Sequence, residues 1–142
     1  MTKGLSIASL DARKAGDQPF EFEYIDGKGD GTGVFLSVLG SHCDRVSAAI
    51  NQAVNDRRRK AAIAEARNKG ARPGSAEFEP IEDDILFAQR LAAVRLVGWR
   101  GITEPFSPDL ALTLCQSNPD LSNQVLEASN LTANFLKLSS QT

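Results

Sequence analysis

Few side chains in this sequence carry reactive chemistry, and their spacing decides what they can do. There is one histidine, His42, and it stands beside one of two cysteines, Cys43. A cysteine nucleophile needs an imidazole within hydrogen-bond reach. Neighbours on a helix or its cap point in different directions, so the pair reads as a surface histidine next to a core cysteine. Cys115 is far along the chain, and neither cysteine belongs to a C-x-x-C. One histidine and two separated cysteines fall short of a zinc ligand set. Reduced thiols are the default expectation, with one long-range disulfide as the alternative.

The segment Asp26 to Ser37 invites comparison with a calcium loop. Asp26 and Asp30 fit positions 1 and 5, and Gly31 fits position 6. Lys28 then puts a cation at position 3, and Ser37 replaces the bidentate glutamate of position 12. Calcium is rejected on that chemistry. The same glycines match no phosphate loop, because neither G-x-x-x-x-G-K-[ST] nor a strand-to-helix G-x-G-x-x-G is present. No cofactor is implied.

Between Arg57 and Arg72 there are seven basic residues and one acid, Glu65, a local net of +6. Arg57, Arg58, Arg59 and Lys60 are its core. No aromatic is interleaved to stack on bases, and Glu77, Glu79, Glu82, Asp83 and Asp84 follow directly. The run therefore reads first as a solvated helix face that attracts the acidic segment or a partner's acidic patch. Trp99, the single tryptophan, sits among two glycines and an arginine. It is either a plug closing the core or an exposed interface anchor.

These residues need a scaffold. The 142 residues are 42% hydrophobic and 24% charged, with a net charge of −2. That length suits a single domain spanning 1–142 and needs no covalent staple. The charge balance argues against a dedicated nucleic-acid-coating protein. The N-terminus has no apolar run of signal-peptide length. The longest apolar stretch, Ile85 to Val97, is interrupted by Gln89, Arg90 and Arg95, so no membrane span is expected. The expected location is the cytoplasm.

Residues 1–18 read as a flexible N-terminal segment. Phe20, Phe22 and Tyr24 alternate with Glu21, Glu23 and Ile25, the period of a strand. Four glycines between Asp26 and Gly33 supply a turn, and Val34 to Gly40 read as a second strand. Ser41 is the expected cap of a first helix with Val46, Ile50, Ala53 and Val54 at helical spacing. Its Ala-rich second half has one large apolar residue, Ile63, and is expected to project from the core or lie on a partner. Residues 68–80 form a linker by composition. A second helix is predicted from Ile81 to Val97, burying Ile85, Ala88, Ala92 and Leu96, with a loop from Gly98 to Phe106 behind it. Ser107-Pro108 and Asn118-Pro119 then each supply a cap and a first helical position. The last helix is predicted from Pro119 to about Lys137, with Leu121, Val125, Ala128, Thr132 and Phe135 in one stripe. A hairpin followed by about four helices makes the fold α+β and mostly helical.

Val97-Gly98-Trp99-Arg100-Gly101-Ile102, Phe106-Ser107-Pro108-Asp109 and Asn118-Pro119-Asp120-Leu121, with Asn134-Phe135-Leu136 behind, carry a resemblance. The chain resembles the tail assembly chaperones of long-tailed, siphovirus-type bacteriophages and prophages. Gly31-Thr32-Gly33 before an apolar strand and Leu39-Gly40-Ser41 before a long charged helix extend the likeness over most of residues 20–138. The basic stretch 57–79 is longer than the family pattern. The resemblance implies a non-enzymatic protein that binds the tape measure protein, keeps it soluble, helps recruit tail tube subunits and leaves before the virion is finished. Many members are made in two lengths, and the ending Leu136 to Thr142 is compatible with the shorter.

The implied partners are the tape measure protein and the major tail tube protein, with self-association open. Candidate partner-binding residues are Trp99, Arg100, Ile102 and Phe106, the run Arg57, Arg58, Arg59 and Lys60, and Val125 and Phe135. Two other readings compete. One is a structural virion component, such as a tail tube or head–tail joining protein. The other is a small nucleic-acid-binding regulator using Arg57 to Lys60. An enzyme comes last, because no catalytic constellation assembles.

Overall fold

The computed structural model describes residues 4–68 and 84–136. The expected linker beyond Asn68, the residues from Ile81 to Asp83 and the chain beyond Leu136 lie outside these described residues. The fold is α+β and mostly helical. In order it runs α1 (Ala12–Ala15), β1 (Phe20–Ile25), β2 (Gly31–Val38), α2 (Asp44–Asn68), α3 (Asp84–Ala93), β3 (Leu96–Arg100), α4 (Pro108–Ser117) and α5 (Pro119–Asn130), with single 3₁₀ turns at Ala8–Leu10 and Thr132–Asn134.

The predicted hairpin forms. Phe20 faces Val38 and Phe22 faces Leu36 across an antiparallel pair. The turn is built around Asp26, whose Oδ1 accepts from the amides of Lys28 and Asp30 at 2.8 and 3.0 Å. Gly29 sits there at φ 88°, a conformation open to glycine. The aspartate expected to fail as a calcium ligand is thus a turn-former.

The sheet has a third strand, where a loop was predicted. β3 pairs antiparallel with β2, setting Trp99 opposite Leu36 and Arg100 opposite Phe35, so the order is β1-β2-β3. Helix α3 correspondingly stops at Ala93. Without β3, the second edge of β2 would lack a partner for its backbone groups, and a ladder gives Leu96 to Arg100 what a helix end would not. Gly101, just past β3, has φ 86°, and a Cβ there would lie 2.2 Å from the Gly33 carbonyl oxygen. The chain needs glycine at that crossing.

One face of the sheet is covered by helices. Leu36, Val38, Leu96, Ala111, Cys115, Leu121 and Val125 form the core, with Phe20, Phe22, Tyr24 and Trp99 packed against it. Burying such apolar area is the main term holding the sheet to α4 and α5. Helix α4 starts as expected, with Pro108 in its first turn and Ser107 Oγ accepting from the Leu110 amide at 3.1 Å. Asn118 does not repeat that cap; its side-chain amide donates to the Leu114 carbonyl, closing α4 instead. Helix α5 ends at Asn130, short of Lys137. It buries Leu121, Ser122, Val125 and Ser129, so Thr132 falls outside the buried stripe.

Ser41 is not the cap of α2, which begins at Asp44. Its hydroxyl bonds the Ser129 hydroxyl at 3.0 Å, its amide donates to the Ser129 carbonyl, and Ser129 Oγ donates to the Leu39 carbonyl at 2.8 Å. Ser41 therefore ties the end of α5 to the exit of β2. Buried Arg95 joins this knot through Ser41 Oγ at 3.3 Å and the Leu91 carbonyl, and burial lowers the pKa of its guanidinium. The described part of the N-terminal segment makes local and tertiary contacts. Asp11 caps α1, and Gly16 lies so close to Gly40 that a Cβ on Gly40 would sit 2.8 Å from the Gly16 Cα.

Candidate functional site

The sheet's end and the α2–α3 pair hold most of the candidate residues. At the sheet, β3 places Trp99 on the core side, half-buried. Its ring meets Phe106 edge-on at 5.0 Å, and Nε1 donates to the Glu104 carbonyl at 2.8 Å. Ile102 is half-buried against the same cluster. The tryptophan is therefore a rim residue that closes the core and keeps part of its ring in solvent.

Arg100 projects from the opposite face of the sheet. Its guanidinium takes Glu21 in a two-pronged bond, both contacts 3.0 Å, and lies 3.9 Å over the Phe35 ring. The bond holds the Glu21 carboxyl below its ordinary pKa and raises that of Arg100. One arginine thus spans residues of all three strands.

The basic run is only partly free for a partner. Arg57 pairs with Asp84, the last residue of the acidic stretch, and stacks 4.5 Å over Phe87. Asp56 takes Arg90 at 3.1 Å and Arg59 at 3.8 Å. The Arg57–Asp84 and Asp56–Arg90 pairs bind α2 to α3, whereas Asp56–Arg59 lies within α2. Arg58 and Lys60 point to solvent.

Two candidates move into the interior. Val125 is fully buried and offers no surface to a partner. Phe135 is half-buried behind the 3₁₀ turn, with its ring edge-on to Phe20 at 6.0 Å and 3.4 Å from where a Cβ on Gly40 would lie. The structure does not bring Val125 or Phe135 together with the basic run.

The reactive residues stay apart. His42 is exposed and Cys43 buried, as the sequence suggested, and both cysteines are free thiols. Burial pushes the Cys115 thiol up to about 12, which suppresses its nucleophilic thiolate. Among the described residues no group of three or more His, Cys, Asp or Glu side chains is placed to hold a metal ion. No helix among them is long and apolar enough to cross a membrane.

The sequence reading missed α3's outer surface. Ile85 and Ala88 were expected in the buried stripe, yet Ile85 is 67% exposed and Ala88 is exposed too, as is Leu86 beside them at 42%. Gln89, Ala92 and Ala93 take the buried places. The signal was present in Ile85-Leu86-Phe87, since three consecutive apolar residues on a helix cannot share one face. Comparison with known proteins gives no match: no family model, no curated protein and no solved structure is similar to this chain.

Proposed function

We propose that this chain is a tail assembly chaperone of a long-tailed phage or prophage. It binds the tape measure protein, covers its apolar helix faces until the tail tube is built around it, and makes or breaks no bond. The reading starts from the sequence resemblance, and one structural observation supports it most. On the α2–α3 pair, small alanines fill buried positions while Ile63, Ile85 and Leu86 are 44%, 67% and 42% exposed. Large apolar groups left in water cost free energy that a partner recovers. A client with exposed apolar helices is such a partner, and helix-in-groove docking is the fitting mode.

The nucleic-acid alternative loses ground because Arg57 and Arg59 are engaged by Asp84 and Asp56. Co-expression with the tape measure protein of the same genome tests the proposal. A soluble client that elutes with this chain on size exclusion is the expected result. An insoluble client and no complex overturns it. Mass spectrometry of purified virions should find the chain absent, and stoichiometric presence would make it a structural component instead.

A further inference from the structure

Strand β1 is an edge of the sheet, whose order is β1-β2-β3. At one end a side chain closes that edge. Gln124 of α5 accepts from the Ile25 amide at 3.0 Å and donates to the Ile25 carbonyl at 2.7 Å, the two bonds a neighbouring strand would make. Backbone groups alternate along a strand, so those of Glu21 and Glu23 turn the same way as those of Ile25. Among the described residues no further strand or side chain serves them. Such an open edge is a template for an added strand. A groove of about 420 Å³ lies beside it, between β1 and α5, lined by Phe20, Phe22, Ala128, Leu131 and Asn134. Leu131 is 56% exposed, so apolar surface stands next to the open backbone groups.

An extended segment with an apolar side chain fits this place, and the chain's own course supplies one. Asn134 donates to the Ala128 carbonyl at 2.9 Å and Phe135 packs on Phe20, so the chain reaches Leu136 at the Phe20 end of the groove. Lys137-Leu138-Ser139-Ser140 come next. Four extended residues span about 13 Å, the length of Phe20 to Glu23, and Gln124 blocks the edge just beyond. We infer that residues 137–140 lie in this groove as a strand parallel to β1, bonded to the backbone of Glu21 and Glu23. Alternation puts Leu138 toward Leu131 and Lys137 on the open face of the sheet, beside Glu21 and Glu23. Those two carboxylates share one arginine, Arg100, so a further cation complements them. A segment joined this closely meets the groove at an effective concentration on the order of millimolar, ahead of a separate chain. Two copies paired through β1 would set the glutamates of one against those of the other, and like charges directly opposite repel. The inference holds whether or not the chain is a chaperone.

Amide hydrogen exchange on the full chain, read residue by residue by NMR, tests this. In the wild type the Glu21 and Glu23 amides should exchange slowly. Leu138→Asp should speed both at least tenfold. Lys137→Glu, which removes no apolar group, should speed them several-fold. The Leu36 amide, inside the ladder, should stay protected in both variants and so report an intact fold. Glu21 and Glu23 amides that exchange fast in the wild type, or at the same rate in the wild type and both variants, overturn the inference. Protection that is lost on dilution, together with a dimer in sedimentation, overturns it in favour of a second copy. Fast exchange that slows only when the co-expressed tape measure protein is bound overturns it in favour of a client strand.

Discussion

The sheet with α4 and α5 buries large side chains, whereas the α2–α3 pair, Val46 and Gln89 apart, buries alanines. In the first region Leu36, Val38, Leu121 and Val125 are fully enclosed and the aromatics of β1 and β3 seal the rim. In the second, Ala53, Ala64, Ala92 and Ala93 occupy buried places, Ile63, Ile85 and Leu86 face out, and ion pairs do much of the joining. Hydrophobic stabilisation follows the apolar area removed from water, so the first region holds the fold and the second holds spare apolar surface. Residues that bind a partner are best sought where the fold does not already use them.

The sharpest way to break this contrast is to truncate one large residue on each side. Leu36→Ala removes a fully buried side chain at the centre of the three strands and should cost about 3–5 kcal/mol. Ile63→Ala on α2 should cost about 0.5 kcal/mol or less, as for other exposed positions. Urea melts of both variants read the difference as a shift in midpoint. Equal shifts would show that α2 carries as much of the core as the sheet does.

Trp99 tests the boundary between binding and folding on the sheet side. Its ring packs on Phe106 and the core, yet it is half-exposed. Trp99→Ala should therefore cost about 2–3 kcal/mol, at or below the low end of large aromatic truncations in fully buried sites. A loss near that of Leu36→Ala would make it wholly a core residue. A loss below about 0.5 kcal/mol would make it a free anchor, by the measure of ordinary surface changes.

Local chemistry was legible where it acts over a few residues. The Asp26-to-Gly33 turn, the alternation of Phe20, Phe22 and Tyr24, and Ser107-Pro108 each state their geometry within the segment itself. The third strand was not legible, because Leu96 to Arg100 gain their ladder from β2, far back in the chain. Helix α3 misled for a related reason. Hydropathy favours burying Ile85, whereas packing buries Gln89 beside Ala92 and Ala93. At the candidate site, the attraction of the basic run to the acidic segment follows from residue types, whereas the Trp99–Phe106 pairing depends on the loop after β3 and was not foreseen. Val125 did not follow, since an amphipathic stripe says which face is apolar and not whether the fold or a partner covers it.

A smaller effect is expected at the start of α4, the helix that delivers Ala111 and Cys115 to the sheet core. Ser107→Ala removes the acceptor of the Leu110 amide and should cost about 1 kcal/mol. Ser107→Asp restores an acceptor and adds negative charge at the helix N-terminus, so it should recover most of that loss. If alanine and aspartate behave alike in thermal melts, the cap contributes nothing and α4 is held by packing alone.

The smallest effect belongs to the strap across the open face of the sheet. Arg100 joins Glu21 of β1 to β3 and covers Phe35 of β2. The bond from Arg100 holds the folded-state pKa of Glu21 below its unfolded value. Below both values the carboxyl is protonated in either state and the pair contributes nothing. Above the unfolded value the carboxylate is charged in both states, and the folded form alone has the arginine bond. The contribution is therefore present at neutral pH and lost as pH falls through the lowered pKa. Both groups are exposed, so salt should weaken it as well. Comparing wild type with Glu21→Gln by urea melts at several acidic pH values should show a stability gap that closes on acidification. Arg100 stays charged over that range, so its contact with Phe35 survives the titration, whereas Arg100→Gln should remove both contacts, giving a deficit that shrinks on acidification to the part owed to Phe35 and does not close. A gap between wild type and Glu21→Gln that widens as pH falls would reverse the sign and refute the strap.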